Sequence, residues 1–215
     1  MTAEPQWPIN GRFNKDFKVT GPYGYRIHPI RKERIHHNGV DLWGSKEPLK
    51  LEVWFDGVVI AKGYNSAGFG HYVILRHKVY GKVVTSLYAH MRDASKLRKG
   101  QKVTAGTVVG IMGATGAVTG KHLHFEIGRG RNHPNIFGGD GKRYYDPIKF
   151  VRSTARKWQA EQELLEAHKE AALATPADSV DVVMPDHSLT EADVAAAPVV
   201  VVEPTVAVEP PTKKK

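Results

Sequence analysis

The sequence contains no cysteine. That excludes a disulfide scaffold, a thiolate metal site and a cysteine nucleophile, and leaves any chemistry to His, Asp, Glu, Ser, Tyr and Lys. The redox compartment stays open, because a chain without thiols tolerates either side of a membrane. Long apolar runs are also missing. No stretch approaches the ~18 apolar residues of a transmembrane helix, so no membrane insertion is expected. The first seven residues, Met1 to Trp7, lack the basic start and apolar stretch of a signal peptide. From Pro176 onward there is no Phe, Tyr or Trp. Such a segment of Pro, Val, Ala and acids has little to build a core with, and 175–215 reads as a disordered tail or tether. No repeat of solenoid length is present.

What remains suits one domain with appendages. The chain has 215 residues, of which 41% are hydrophobic, enough for a serviceable core. Its 31 Lys+Arg outweigh 22 Asp+Glu, but unevenly. The last 40 residues hold seven acids and three lysines, a net −4, which leaves +13 on residues 1–175. A body this basic is drawn to polyanions, whether nucleic acid, an anionic wall or a membrane surface, although simple solubility charge gives the same balance.

Residues 1–153 are rich in Gly, aromatic and β-branched residues, the mark of a mainly β, antiparallel domain. Glu52–Ala61, His71–Arg76, Lys82–Tyr88, Lys102–Val109 and His122–Ile127 read as strands. From Thr154 to Ala174 there is no Gly or Pro and strong helix formers dominate, so a helix is expected over 154–174, with a thin stripe of Trp158, Leu165 and Leu173. Pro176 ends it.

Eleven histidines are more than such a chain needs. His37-Asn38-Gly39-Val40-Asp41 is a His-x-x-x-Asp in which Gly39 disfavours a helix. On an extended segment, positions i and i+4 share a side, so the pair can aim at one ion. Ordinary hydrogen bonding explains such a pair equally well. In His122-Leu123-His124, strand alternation puts both rings on one face and Leu123, Phe125 and Ile127 on the other. Packing alone explains that poorly. Tyr88-Ala89-His90 closes a strand, and its histidine gains weight from its company. Glu126 continues the His122/His124 face, either orienting an imidazole or simply facing solvent. His36 adjoins His37 but points the other way and reads as structural. His28, His71, His77 and His133 are candidates for a groove lining; His168 and His187 fall outside the catalytic region. Imidazole with carboxylate suits zinc, which takes three protein ligands plus water in catalytic sites. The helical His-Glu-x-x-His arrangement is absent.

Two other chemistries fit less well. Gly116 to His122 is not a phosphate loop, because three residues rather than four separate its glycines and His follows the lysine. A metal-dependent nuclease would suit the basic body, but magnesium sites favour clustered carboxylates, and imidazoles predominate here. No nucleic-acid partner is expected.

Taken in order, His37-x-x-x-Asp41, Tyr88-x-His90 and His122-x-His124 resemble the M23 family of zinc metallopeptidases, the lysostaphin-like or LytM-type peptidoglycan endopeptidases. Gly24-Tyr25-Arg26-Ile27-His28-Pro29, the segment Gly68 to His77, and Gly110 to Gly116 are similar to the family's corresponding segments. The likeness runs from about Val19 to Pro147. It implies an antiparallel β-sheet groove, Zn2+ held by His37, Asp41 and His124, and catalytic, non-ligand roles for His90 and His122. It implies a zinc endopeptidase acting on bacterial peptidoglycan. A non-catalytic wall-binding module on the same fold is the rival, and the complete set of five residues argues against it. The domain expected is 1–153, followed by the helix and tail. Peptidoglycan lies outside the bacterial membrane, and the N-terminus shows no export signal. The combination fits a bacteriophage lysin, held in the host cytoplasm until release, or a virion-associated hydrolase tethered to a virion structural protein by the tail. The loop from Gly128 to Asp146 is the expected groove wall.

Overall fold

The computed structural model describes residues 3–28, 32–134 and 140–174. The expected tail, His187 and the middle of the expected groove-wall loop lie outside the described residues.

Among the described residues, twelve strands precede one helix. They are β1 (Phe17–Gly21), β2 (Gly24–Ile27), β3 (Arg34–His37), β4 (Gly39–Gly44), β5 (Lys50–Glu52), β6 (Gly57–Asn65), β7 (Gly70–Val79), β8 (Lys82–Met91), β9 (Lys102–Val103), β10 (Val108–Ile111), β11 (Leu123–Arg129) and β12 (Tyr144–Tyr145), followed by α1 (Pro147–Ala174). The main sheet is antiparallel and runs β1-β4-β11-β8-β7-β6-β9, with β12 also on β11. β4 pairs with the first half of β11, from Leu123 to Glu126, and β12 with Ile127 and Gly128. Two small sheets, β2-β3 and β5-β10, complete the arrangement. The mainly β architecture with one C-terminal helix is as the sequence implies.

Alternation sorts the faces. Val40 and Leu42 of β4, and Leu123, Phe125 and Ile127 of β11, are almost completely buried in one core with Leu75, Tyr88 and Trp54. The opposite face of β4 and β11 carries Asp41, His124 and Glu126. Two expected strands prove to be broken. Glu52–Ala61 splits into β5 and β6 because Trp54 and Phe55 are successive and both buried, which one-sided alternation does not allow. Lys102–Val109 splits at a turn in which Thr107 N–H donates to the Thr104 carbonyl and Gly106 takes φ +82°.

The helix starts at Pro147, earlier than Thr154. Asp146 caps it, its Oδ1 accepting from the N–H groups of Ile148 (3.0 Å) and Lys149 (3.2 Å), and Pro147 takes the first helical position. Thr154 sits within the helix, buried, and donates its hydroxyl to the Phe150 carbonyl. Val151 and Thr154 are buried, whereas Leu164 and Leu173 are exposed. No described helix is long and apolar enough to cross a membrane.

Candidate metal centre and active site

The chain changes sheets at Asn38. β3 ends at His37 against β2, and β4 begins at Gly39 against β1 and β11. The register then places Asp41 directly opposite His124, and Gly39 opposite Glu126. On its other side His124 faces Ala89 of β8, which brings His90 alongside. Strand pairing thus gathers residues more than 80 positions apart. Gly39 permits it: a Cβ there would stand 2.4 Å from the Phe125 carbonyl oxygen and 2.8 Å from Glu126 Cγ.

Three donor atoms converge. His37 Nε2 lies 3.1 Å from His124 Nδ1 and 3.2 Å from Asp41 Oδ1, and His124 Nδ1 lies 3.0 Å from Asp41 Oδ1. All three residues are buried. A tetrahedral zinc with ligands at about 2.0–2.1 Å requires donor atoms about 3.3 Å apart, so the triangle fits one face of that tetrahedron within a few tenths of an ångström. The far side of each donor is committed elsewhere. His37 Nδ1–H donates to the Pro22 carbonyl (2.8 Å), so its Nε2 lone pair faces inward. His124 Nε2–H donates to Glu126 Oε1 (2.9 Å), which turns its Nδ1 inward. Arg26 Nη1 holds Asp41 Oδ2 at 2.9 Å and leaves Oδ1 to the centre. Such outer bonds fix tautomer and orientation at metal sites.

The electrostatics favour a cation. Burial alone raises the Asp41 carboxyl, but the adjacent His124 and His37 hold it far below the usual carboxylate range, so it stays an anion. Burial lowers His124, yet the Asp41 and Glu126 carboxylates outweigh it and push the ring up to about 9, so without a metal Nδ1 carries a second proton toward Asp41, the proton that a cation replaces. Burial pulls His37 down, keeping its Nε2 a lone-pair donor.

His90 and His122 flank this triangle without joining it. Their ring centroids are 4.8 Å apart, and His90 is 5.8 Å from His124. His90 Nδ1–H donates to the Thr115 carbonyl (2.9 Å) and His122 Nδ1–H to that of Gly120 (2.9 Å), freeing Nε2 on each. His122 Nε2 stands 3.6 Å from Asp41 Oδ1. Burial, with the adjacent His124 and His122, pushes His90 down to about 3, so the ring is neutral. His90 also has φ 60°, the left-handed region that a non-glycine residue occupies only under constraint.

The other histidines separate clearly. His36 is buried between Tyr23 and Tyr25, with Nδ1 3.0 Å from Asn38 Oδ1, in keeping with a structural role. His77 lies apart from the metal centre, buried beside Trp54, Ser86 and the Asp56 carbonyl. His71 packs on Tyr64. His133 lies behind the centre, 2.7 Å from Glu126 Oε2, rather than on an open wall. Sequence reasoning gave Arg26 no role of its own, offered His133 only as a candidate groove-lining residue and left Glu126 undecided. The Gly-x-Arg segment carried a signal for Arg26; no spacing signalled the contact of His133 with Glu126.

The chain is similar to known proteins. Residues 35–136 match peptidase family M23. Over 132 residues the chain is 40% identical to the peptidoglycan DD-endopeptidase ShyA of Vibrio cholerae, covering 60% of this chain and 27% of that protein. The chain spans about a quarter of the length of such curated relatives. Among solved structures, a zinc-containing peptidase from Vibrio cholerae superimposes with a TM-score of 0.52 and 26% identity, over 68% of this chain and 39% of that one. The catalytic domain of lysostaphin from Staphylococcus simulans gives 0.51 and 25%, over 63% of this chain and 92% of that domain. Residues 35–136 of the chain thus match the domain of peptidase family M23, and the fold is lysostaphin-like.

Proposed function

We propose that this chain is a zinc-dependent endopeptidase that hydrolyses peptide bonds of bacterial peptidoglycan, in the stem peptide or the crosslink. One observation carries the reading: His37 Nε2, Asp41 Oδ1 and His124 Nδ1 converge within 3.2 Å of one another, and His90 and His122 flank them, each held through Nδ1 by a backbone carbonyl. The relationship to a named peptidoglycan DD-endopeptidase supports the substrate class. The basic charge of residues 1–175 supports attraction to an anionic wall.

In this reading His37, Asp41 and His124 hold the zinc. When bound, zinc supplies Lewis acidity, polarising the scissile carbonyl and acidifying water. His90, neutral and buried, accepts the proton of the attacking water at Nε2. The proton taken up at His90 Nε2 passes on to the departing amine, and His122, the most exposed of the five side chains, donates to the developing oxyanion when its Nε2 carries a proton. The carbonyls of Thr115 and Gly120 keep both rings aimed during the transfer. The reading includes delivery as a phage lysin or virion-borne hydrolase, which proteomics of purified particles tests.

The deciding experiment incubates the purified protein with isolated peptidoglycan, with and without a zinc chelator, and identifies released fragments by mass spectrometry. New amino termini that require zinc are the expected result, and they name the bond. A protein that neither binds zinc nor releases fragments is a wall-binding module instead.

A further inference from the structure

The two imidazoles of the centre are held in different ways. His37 leans on a backbone carbonyl, that of Pro22. His124 leans on a side chain, that of Glu126, which is buried. A buried carboxylate needs partners for both oxygens. Glu126 Oε1 takes His124 Nε2–H at 2.9 Å, and Oε2 takes His133 Nε2–H at 2.7 Å. His133 Nδ1 in turn lies 2.9 Å from Thr85 Oγ1 on β8.

His133 comes from outside the strands, in the segment that follows β11 and folds back beneath it. Several features hold it there. Gly128 leaves the room: a Cβ would meet Pro134 Cδ at 2.4 Å and His133 Nδ1 at 3.0 Å. The Tyr144 hydroxyl donates to the Pro134 carbonyl, and its ring meets that of His133 edge-on at 5.8 Å. The His133 side chain is 4% exposed.

We propose that His133, acting through Glu126, is a positioning residue for His124, so that zinc affinity depends on the docking of the segment after β11. The proposal rests on the metallopeptidase reading. Without His133, Glu126 Oε2 loses its partner and the carboxylate leaves its buried position for water. His124 then loses the acceptor that keeps its proton on Nε2, and Nδ1 is no longer a fixed donor. The relay makes no contact with substrate.

The test measures zinc dissociation constants of the full chain by competition with a chromophoric chelator, with far-UV circular dichroism and thermal melting alongside. His133→Ala is expected to weaken zinc by about 10–100-fold, the usual effect of losing such outer partners. His133→Gln, which can still donate to Glu126, restores most of the affinity. Thr85→Val is isosteric, so it folds even if His133→Ala does not, and it weakens zinc in the same direction by less. A merely structural role lowers the melting temperature and leaves the zinc constant of the folded variants unchanged; that result overturns the relay alone. A wild-type chain that binds no zinc overturns the metallopeptidase reading and the relay together.

Discussion

Adding one methyl group at Gly39 should disable the centre without touching a ligand. A Cβ there would stand 2.4 Å from the Phe125 carbonyl oxygen, 3.0 Å from its carbon and 2.8 Å from Glu126 Cγ. A relaxed carbon–oxygen contact needs about 3.3 Å, so the strands must part by about 0.9 Å. The obstacle is backbone, and β11 is pinned between β4 and β8, so no rotamer change relieves it. Asp41 and His124 face each other two residues further along the same pair of strands. If the whole opening reaches them, their 3.0 Å separation grows to about 3.9 Å, about 0.6 Å beyond the roughly 3.3 Å that a tetrahedral zinc requires. Gly39→Ala is therefore expected to cost about 1–3 kcal/mol of stability by overpacking and to weaken zinc at least about tenfold. Gly120→Ala is the control, since its Cβ meets nothing within 4 Å. Chemical denaturation and chelator competition read both effects. A Gly39→Ala protein as stable as wild type and with the same zinc affinity would refute the argument, because it would mean that the strand pair has slack the distances deny.

Other expectations concern separate parts of the molecule. His90→Ala and His122→Ala should retain zinc and lose most peptidoglycan turnover, whereas alanine at His37, Asp41 or His124 should lose both; metal analysis beside fragment release distinguishes the two groups. Because His90 has φ 60°, His90→Gly should be more stable than His90→Ala by about 1 kcal/mol, read by denaturant melts, with both inactive. His77 gives a pH signature: burial lowers it to about 4, against about 6.5 in the unfolded chain. Above pH ~6.5 both states are neutral and its contribution is complete; as pH falls the unfolded chain binds the proton first, and stability on the order of 3 kcal/mol is lost by pH ~4. His77→Gln should flatten that part of the stability–pH curve, and an unchanged slope would count against the buried neutral ring. Asp146→Ala should cost about 1 kcal/mol through loss of the α1 cap, with no effect on zinc.

The parts legible in the sequence were those that local period dictates. Leu123, Phe125 and Ile127 alternate with His122, His124 and Glu126, and a two-residue period admits only one assignment of faces once the apolar set is buried. The same rule places His37 and Asp41 on one side, although the structure achieves it across a change of sheet at Asn38. Where local pattern misled, tertiary burial had overridden it. Trp54 and Phe55 look like strand residues, yet both enter the core, so the chain bends. Thr154 looks like a helix start because an unbroken run of helix formers begins there. The stronger signal lay upstream in Asp146-Pro147, a cap followed by the residue best suited to the first turn.

The supporting residues were harder to read for a different reason. A ligand must sit at a fixed spacing from its neighbours on a strand, and that spacing is written in the chain. Arg26, Glu126 and His133 need only reach the back of a ligand, and many positions can do so. Glu126 is the clearest case: alternation places it on the face of His124, but solvent-facing and buried carboxylates share that pattern. What decides is whether something covers it, and the cover is His133, from a segment without periodicity. The left-handed backbone at His90 is similar, since nothing in Tyr88-Ala89-His90 announces it. It follows from His90 N–H donating to the Phe69 carbonyl while Nδ1–H reaches Thr115, two bonds to separate segments that together fix the ring toward His122. The chemistry-bearing side chains are thus set by local spacing, while their aim is set by contacts from distant segments, and mutations at those segments should alter metal affinity or turnover without changing a ligand.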